Sequence, residues 1–313
     1  MTRKALRALH APVADARPML VRVVMVLALA AVFCSVAMML DSRVLDNGHN
    51  VWLKPLRFCF AFGVHLLTLW WLASLTRRQA VDDRWFAFSA QLQAGTAVLE
   101  LLCITVQAAR GVQSHFNYTT EFDHAVFTVM GLGTAVLLAG LVLMVAGLVR
   151  WPAHPVTTQA TIAGLSIAVM GGLVGVWMVM PTVEQRVLIE AGQKLAWVGN
   201  ALTGFPSERS TPFFGWDMRT GDGRVPHFIG LHAMQAVPAL AWLHHRSARS
   251  ASVLPTALRV GVAAYLTVFL GAVVWTASGR SVLDASAGSA LLVGVPLAAF
   301  LFSAVCVARR GVA

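Results

Sequence analysis

A chain of 313 residues that is 58% hydrophobic and only 12% charged, with a mean hydropathy of +0.70, is too apolar for a water-soluble domain of its size. Its net charge of +10 implies attraction to anionic lipid and not nucleic-acid binding, because the basic residues fall in short connections between long apolar runs. Four cysteines, Cys34, Cys59, Cys103 and Cys306, lie inside apolar runs at no metal-ligand or redox spacing, which implies no disulfide framework.

Eight stretches are long enough to cross a bilayer as helices: about 19–40, 57–76, 85–110, 124–149, 160–181, 226–244, 257–279 and 286–306. The expected fold is therefore an all-α polytopic membrane bundle forming a single transmembrane domain, 1–313. The basic opening segment resembles the start of a signal peptide, but its apolar run is too long and lacks a small-x-small cleavage site, so a retained first helix is expected. With both termini cytoplasmic, the inner side holds fourteen basic against three acidic residues and the outer side ten of each. That asymmetry is the one the positive-inside rule requires.

Between spans five and six, 182–225 is a long periplasmic loop expected to cap the outer ends of the helices. Leu188, Ala191, Leu195, Val198 and Leu202 recur on one helical face, which predicts a surface helix there; the Gly-, Pro- and Phe-rich second half predicts irregular chain. In span five, Gly164, Ala168, Gly171, Gly172 and Gly175 make a small-residue face for close helix packing. Pro238 and Pro296 interrupt spans six and eight, freeing the carbonyls of Met234 and Leu292. Phe62-Gly63-Val64-His65 and Ile229-Gly230-Leu231-His232 echo each other weakly as a four-plus-four repeat.

Of the fourteen acidic residues, Glu100 alone falls within a span. It lies on a polar stripe, Ser89, Gln93, Thr96, Glu100, Cys103, Gln107 and Arg110, with the four-and-three spacing of one helical face. A carboxylate at that depth costs several kcal/mol unless it is partnered. By helical rise, Glu100 and His65 each sit roughly 3 Å outward of the midplane of their spans, and His232 roughly 4–5 Å, with Gln235 at the centre. This predicts a shared site in which His65, His232 and Glu100 hold a metal, or the two imidazoles ligate haem b.

A second cluster is expected at the outer interface. Arg110, His115, His124, Arg219, Arg224 and His227 gather at helix ends, with Asp123 as a plausible N-cap for span four. The arginines there would meet the phosphate or carboxylate of an anionic small molecule.

The stretches KPLRFCF, QAARGVQSHFN and DGRVPHFIGLHAMQ resemble those of a family of uncharacterised bacterial multi-pass inner-membrane proteins. The resemblance implies a bacterial cytoplasmic membrane and says nothing of activity. From the side chains, the first expectation is a metal- or haem-binding, redox-related protein. The alternatives are a proton-coupled small-molecule transporter, with the stripe as its path, and a structural or assembly protein.

Overall fold

The computed structural model describes residues 16–45, 48–75, 84–150, 156–203, 209–247, 256–284 and 286–309. Basic inner residues such as Arg77, Arg78 and Arg249 lie outside the described residues. Those described form α1 (Arg17–Leu40), α2 (Leu53–Leu75), α3 (Arg84–Arg110), α4 (Glu121–Val149), α5 (Val156–Val179), α6 (Val183–Glu190), α7 (Arg224–Ser247), α8 (Thr256–Ala277), α9 (Ala287–Ser289), a π turn at Ala290–Gly294 and α10 (Val295–Arg309). Among them there is no strand, only isolated bridges within and between the connections at one end of the bundle.

Among the described residues, seven helical stretches are long and apolar enough to cross a membrane: α1 to α5, α8 and the run Ala287–Val307. The protein is an all-α, multi-pass membrane bundle. Helix α7 is 24 residues long but carries His227, His232, Gln235 and His244, and it falls short of the others in hydropathy. It packs lengthwise on α5 in the most extensive helix pairing of the molecule.

Two cores result. One is built by α1 to α4 around Leu27, Leu66, Leu69, Ala97 and Met144; the other by α5, α7, α8 and α10 around Ile167, Val237, Leu240 and Phe269. Leu165, Ala168 and Met234 belong to the first core and join the halves.

Lipid offers no hydrophobic drive for helix association, so close backbone approach matters here. A Cβ on Gly171 would stand 2.6 Å from the carbonyl carbon of Gly230, and one on Gly164 would stand 2.7 Å from the carbonyl oxygen of Ala233. The small-residue face of α5 thus packs on α7 as expected, except that Gly172 turns to Leu138 of α4. The glycines of the sequence echo are used differently: Gly230 is in backbone contact, whereas a Cβ on Gly63 would meet nothing.

Pro296 is absorbed by the π turn just before it. The freed Leu292 carbonyl leans over Gly271 of α8, where a Cβ would come within 2.2 Å. The surface helix of the long connection is shorter than its periodicity predicts. α6 stops at Glu190, because Gly192 at φ 81 turns the chain away and the Gln185 side chain spends its bonds on Trp197 and Gly199. Thr120, not Asp123, caps α4, its hydroxyl accepting from the Asp123 amide at 3.1 Å.

Candidate functional site

The polar stripe of α3 lies against α4, where glycines seven residues apart make room for it. A Cβ on Gly133 would be 2.6 Å from Glu100 Oε1, one on Gly140 would be 2.9 Å from Gln93 Nε2, and one on Gly147 would be 3.3 Å from Trp85 Cβ. Ser89 donates a short hydrogen bond to the Gly140 carbonyl, and Gln93 Nε2 donates to Leu137 O at 3.2 Å. Gln107 Nε2 donates to Asp123 Oδ1 at 2.7 Å. Ser89, Gln93 and Gln107 are fully buried. Ser89, Gln93, Thr96, Glu100 and Gln107 of the stripe are buried in the helix interface, while Cys103 is half-buried and Arg110 is exposed.

Glu100 is 3% exposed, and its Oε1 has no hydrogen-bond partner. Its polar neighbours are the Thr134 hydroxyl of α4 and the Lys54 ammonium of α2. The histidines are elsewhere. His65 Nε2 meets Gln93 Oε1 at 2.9 Å, two helical turns along α3 from Glu100, or about 10 Å by helical rise. The depth comparison failed because α2 starts at Leu53, four residues ahead of the expected 57, which moves His65 inward relative to α3.

His65 does lie close enough to His232 for the two to interact. One turn on, however, Gln235 Nε2 donates to Thr68 Oγ1 at 2.8 Å and holds α7 directly against α2. The His65 Nε2 that an axial ligand would use is engaged by Gln93 Oε1 instead. Among the described residues no three His, Cys, Asp or Glu side chains are grouped to hold a metal. The His65, His232 and Glu100 metal triad is therefore not formed, and the residues do not fit a bis-histidine haem.

The three arginines expected to form an outer mouth do not converge. Arg110 pairs with Asp123 and Gln107 and lies over the Phe122 ring, while Arg219 is exposed. Arg224 places Nε 2.8 Å from Asp222 Oδ1 and Nη2 2.6 Å from Asp222 Oδ2, a two-pronged pairing that fills its side-on fork. His124 is exposed, its ring tilted against that of Tyr118 with centroids 4.6 Å apart. His227 Nδ1 donates to the Gly171 carbonyl at 2.8 Å and serves the α5–α7 contact.

What the end of the bundle expected to lie outside does assemble is a cation cluster between the two halves. Lys54 and Arg57 open α2, Arg224 opens α7, and His49 and His115 come from the connections beside them. Lys54 interacts with Arg57, Arg224 and Glu100. Burial, with Arg57 and Arg224 adding, pushes the His49 imidazole below its usual range; burial, then Lys54, pushes His115 well below it. Both rings are therefore neutral near pH 7. Phe213 of the cap lies over the Arg57 guanidinium at 5.6 Å.

Arg57 Nε and Nη2 are shielded from solvent without any hydrogen-bond partner. These are the two parallel donors that Arg224 spends on Asp222 and Arg43 on Asp41. A guanidinium fork buried without an acceptor is a costly arrangement, and its shape matches the two oxygens of a carboxylate or phosphate.

His115 sits in a ring of Phe58, Phe116 and Phe127, with Ser114 Oγ 3.1 Å from its Nδ1. Phe116 holds φ 61, a left-handed conformation uncommon outside glycine, and its carbonyl is clamped by the Val198 amide. Because the folded protein keeps His115 neutral while the unfolded chain protonates it near 6.5, the unfolded state binds more protons below that pH. Stability from this group is complete above about 6.5 and is lost as pH falls. Thermal unfolding of His115→Gln should show a smaller drop than wild type between about pH 7.5 and about pH 5.5. Identical drops would mean that His115 is already charged in the folded protein.

Lys54, Arg57 and His49 were not among the residues singled out from sequence. The signal was Lys-Pro-Leu-Arg: two cations at i and i+3 opening an apolar span at the end expected to lie outside, where the positive-inside rule gives no reason to concentrate positive charge. Comparison with protein-family models, with curated proteins and with solved structures found no match.

Proposed function

We propose that this chain, lying in a bacterial cytoplasmic membrane with α7 as an eighth span and both termini inside, captures a small oxyanion at its outer-facing end as a carrier does. The observation that supports the reading is the buried, unpartnered Nε and Nη2 fork of Arg57, beside Lys54 and beneath Phe213. A metal or haem would need donors that the site lacks; an oxyanion would supply the acceptors that Arg57 lacks. Carboxylates and phosphate-like anions share the required paired oxygens, while chloride does not.

The test is a thermal-unfolding titration of the full chain in detergent with acetate, succinate, sulfate and phosphate, each against chloride at equal ionic strength. Saturation at about a hundredfold over Kd stabilises by about 2.7 kcal/mol, which is easily read as a shift in Tm. At least one oxyanion class should stabilise and chloride should not. Equal shifts with every salt would remove the reading, since screening alone then explains them.

A further inference from the structure

Resting on the oxyanion reading, a second consequence follows from where Lys54 stands. Its ammonium interacts electrostatically with the Arg57 and Arg224 guanidinium groups on one side of the charge balance and with the Glu100 carboxylate on the other. Around Lys54 stand the cations Arg57 and the half-exposed Arg224, and Glu100 is the carboxylate that acts on it. Asp222 is committed to Arg224 through both oxygens. Glu100 is therefore the carboxylate that balances Lys54 when no anion is bound.

The other elements packed on α3 give Glu100 no alternative partner. Toward it α4 presents Gly133 and Thr134, and the ionisable residues of α4, Glu121, Asp123 and His124, lie at the outer end. The ionisable groups of α1 are Arg17 and Arg22 near its inner end and Cys34, which faces Cys59. On α2, His65 is engaged by Gln93 two turns away. On α3 itself, Cys103 stands one turn from Glu100 and interacts with it. Lys54 is thus the one cation that Glu100 faces among the described residues.

We propose that an oxyanion on Arg57 and Glu100 compete for Lys54, so that the anion enters together with a proton taken from solvent by the Glu100 carboxylate. No other bond forms or breaks. The anion takes over as counter-charge for Lys54, and the carboxyl group left behind in an apolar cradle is neutralised. Reciprocity then requires that protonating Glu100 tighten anion binding by the same factor by which the anion favours protonation. A membrane protein with this linkage loads its anion more readily on the more acidic face.

The experiment is isothermal titration of the full-length protein with sulfate and with acetate, neither of which titrates between about pH 6 and about pH 8. Two buffers of different ionisation enthalpy report protons taken up per anion. Wild type should bind more tightly at the lower pH and take up a net fraction of a proton, approaching about one, where Glu100 starts ionised. Glu100→Gln, which keeps the shape but not the charge, should bind about tenfold more tightly at the higher pH, independently of pH and without proton uptake.

Binding by wild type with no proton uptake at either pH would overturn the linkage and leave the oxyanion site standing. Weaker binding by Glu100→Gln would overturn it too. No binding of either probe by either protein would remove both. The proton count on wild type needs no variant to fold.

Discussion

Replacing Arg57 with alanine should abolish oxyanion binding while raising the thermal stability of the ligand-free protein. Removing one partner of a buried, hydrogen-bonded charge pair costs about 2–5 kcal/mol of binding, at least about thirtyfold in Kd. In the absence of the anion, however, Arg57 is a shielded cation whose Nε and Nη2 bond to nothing, and deleting it relieves a desolvation cost. Arg57→Lys keeps a charge but loses the parallel donors, so it should also fail to bind tightly. Arg224→Ala supplies the contrast. It strands Asp222, whose side chain is 0% exposed, and should lower stability whether or not an anion is present. If Arg57→Ala destabilises the ligand-free protein as Arg224→Ala does, Arg57 is a structural residue and the site does not exist.

The second large effect belongs to the contact between α5 and α7. Gly230→Ala would place a methyl group 2.5 Å from Gly171 Cα and 2.7 Å from Phe269 Cε2. The first of these is backbone and cannot rotate away, so the helices must separate along their most extensive interface. Overpacking of this kind costs about 1–3 kcal/mol, and separated helices regain nothing from lipid. Thermal unfolding should fall clearly for Gly230→Ala and hold or rise for Gly63→Ala, which sits at the matching place of the echoed motif on α2 with open space around its Cβ. Equal midpoints for the two variants would contradict the observed packing.

These two tests fall on residues that the sequence presents with unequal clarity. Gly171 and Gly175 were legible as packing residues because small residues at helical spacing in an apolar span have little else to do. The spans themselves were legible for the same reason that they form: an unpaired peptide group is intolerable in hydrocarbon, so apolar length and helix go together. Depth could also be estimated, but only from each helix's own ends. Starting α2 at Arg57 hid the preceding turn, and the cost was twofold. His65 was aligned with Glu100 when it in fact meets Gln93, and Arg57 was taken for a boundary when it stands with Lys54 in the cation cluster. Lateral adjacency was not legible at all, since nothing in the stripe from Ser89 to Arg110 says that the facing helix offers glycine.

That glycine face carries a consequence for how the chain can vary over descent. Gly133 against Glu100, Gly140 against Gln93 and Gly147 against Trp85 are matched in volume, each side chain on α3 occupying the place of an absent one on α4. An enlargement on either helix is accommodated only by a trimming opposite it. In a set of descendants the three pairs should therefore change as pairs, bulk crossing from one helix to the other without appearing on both.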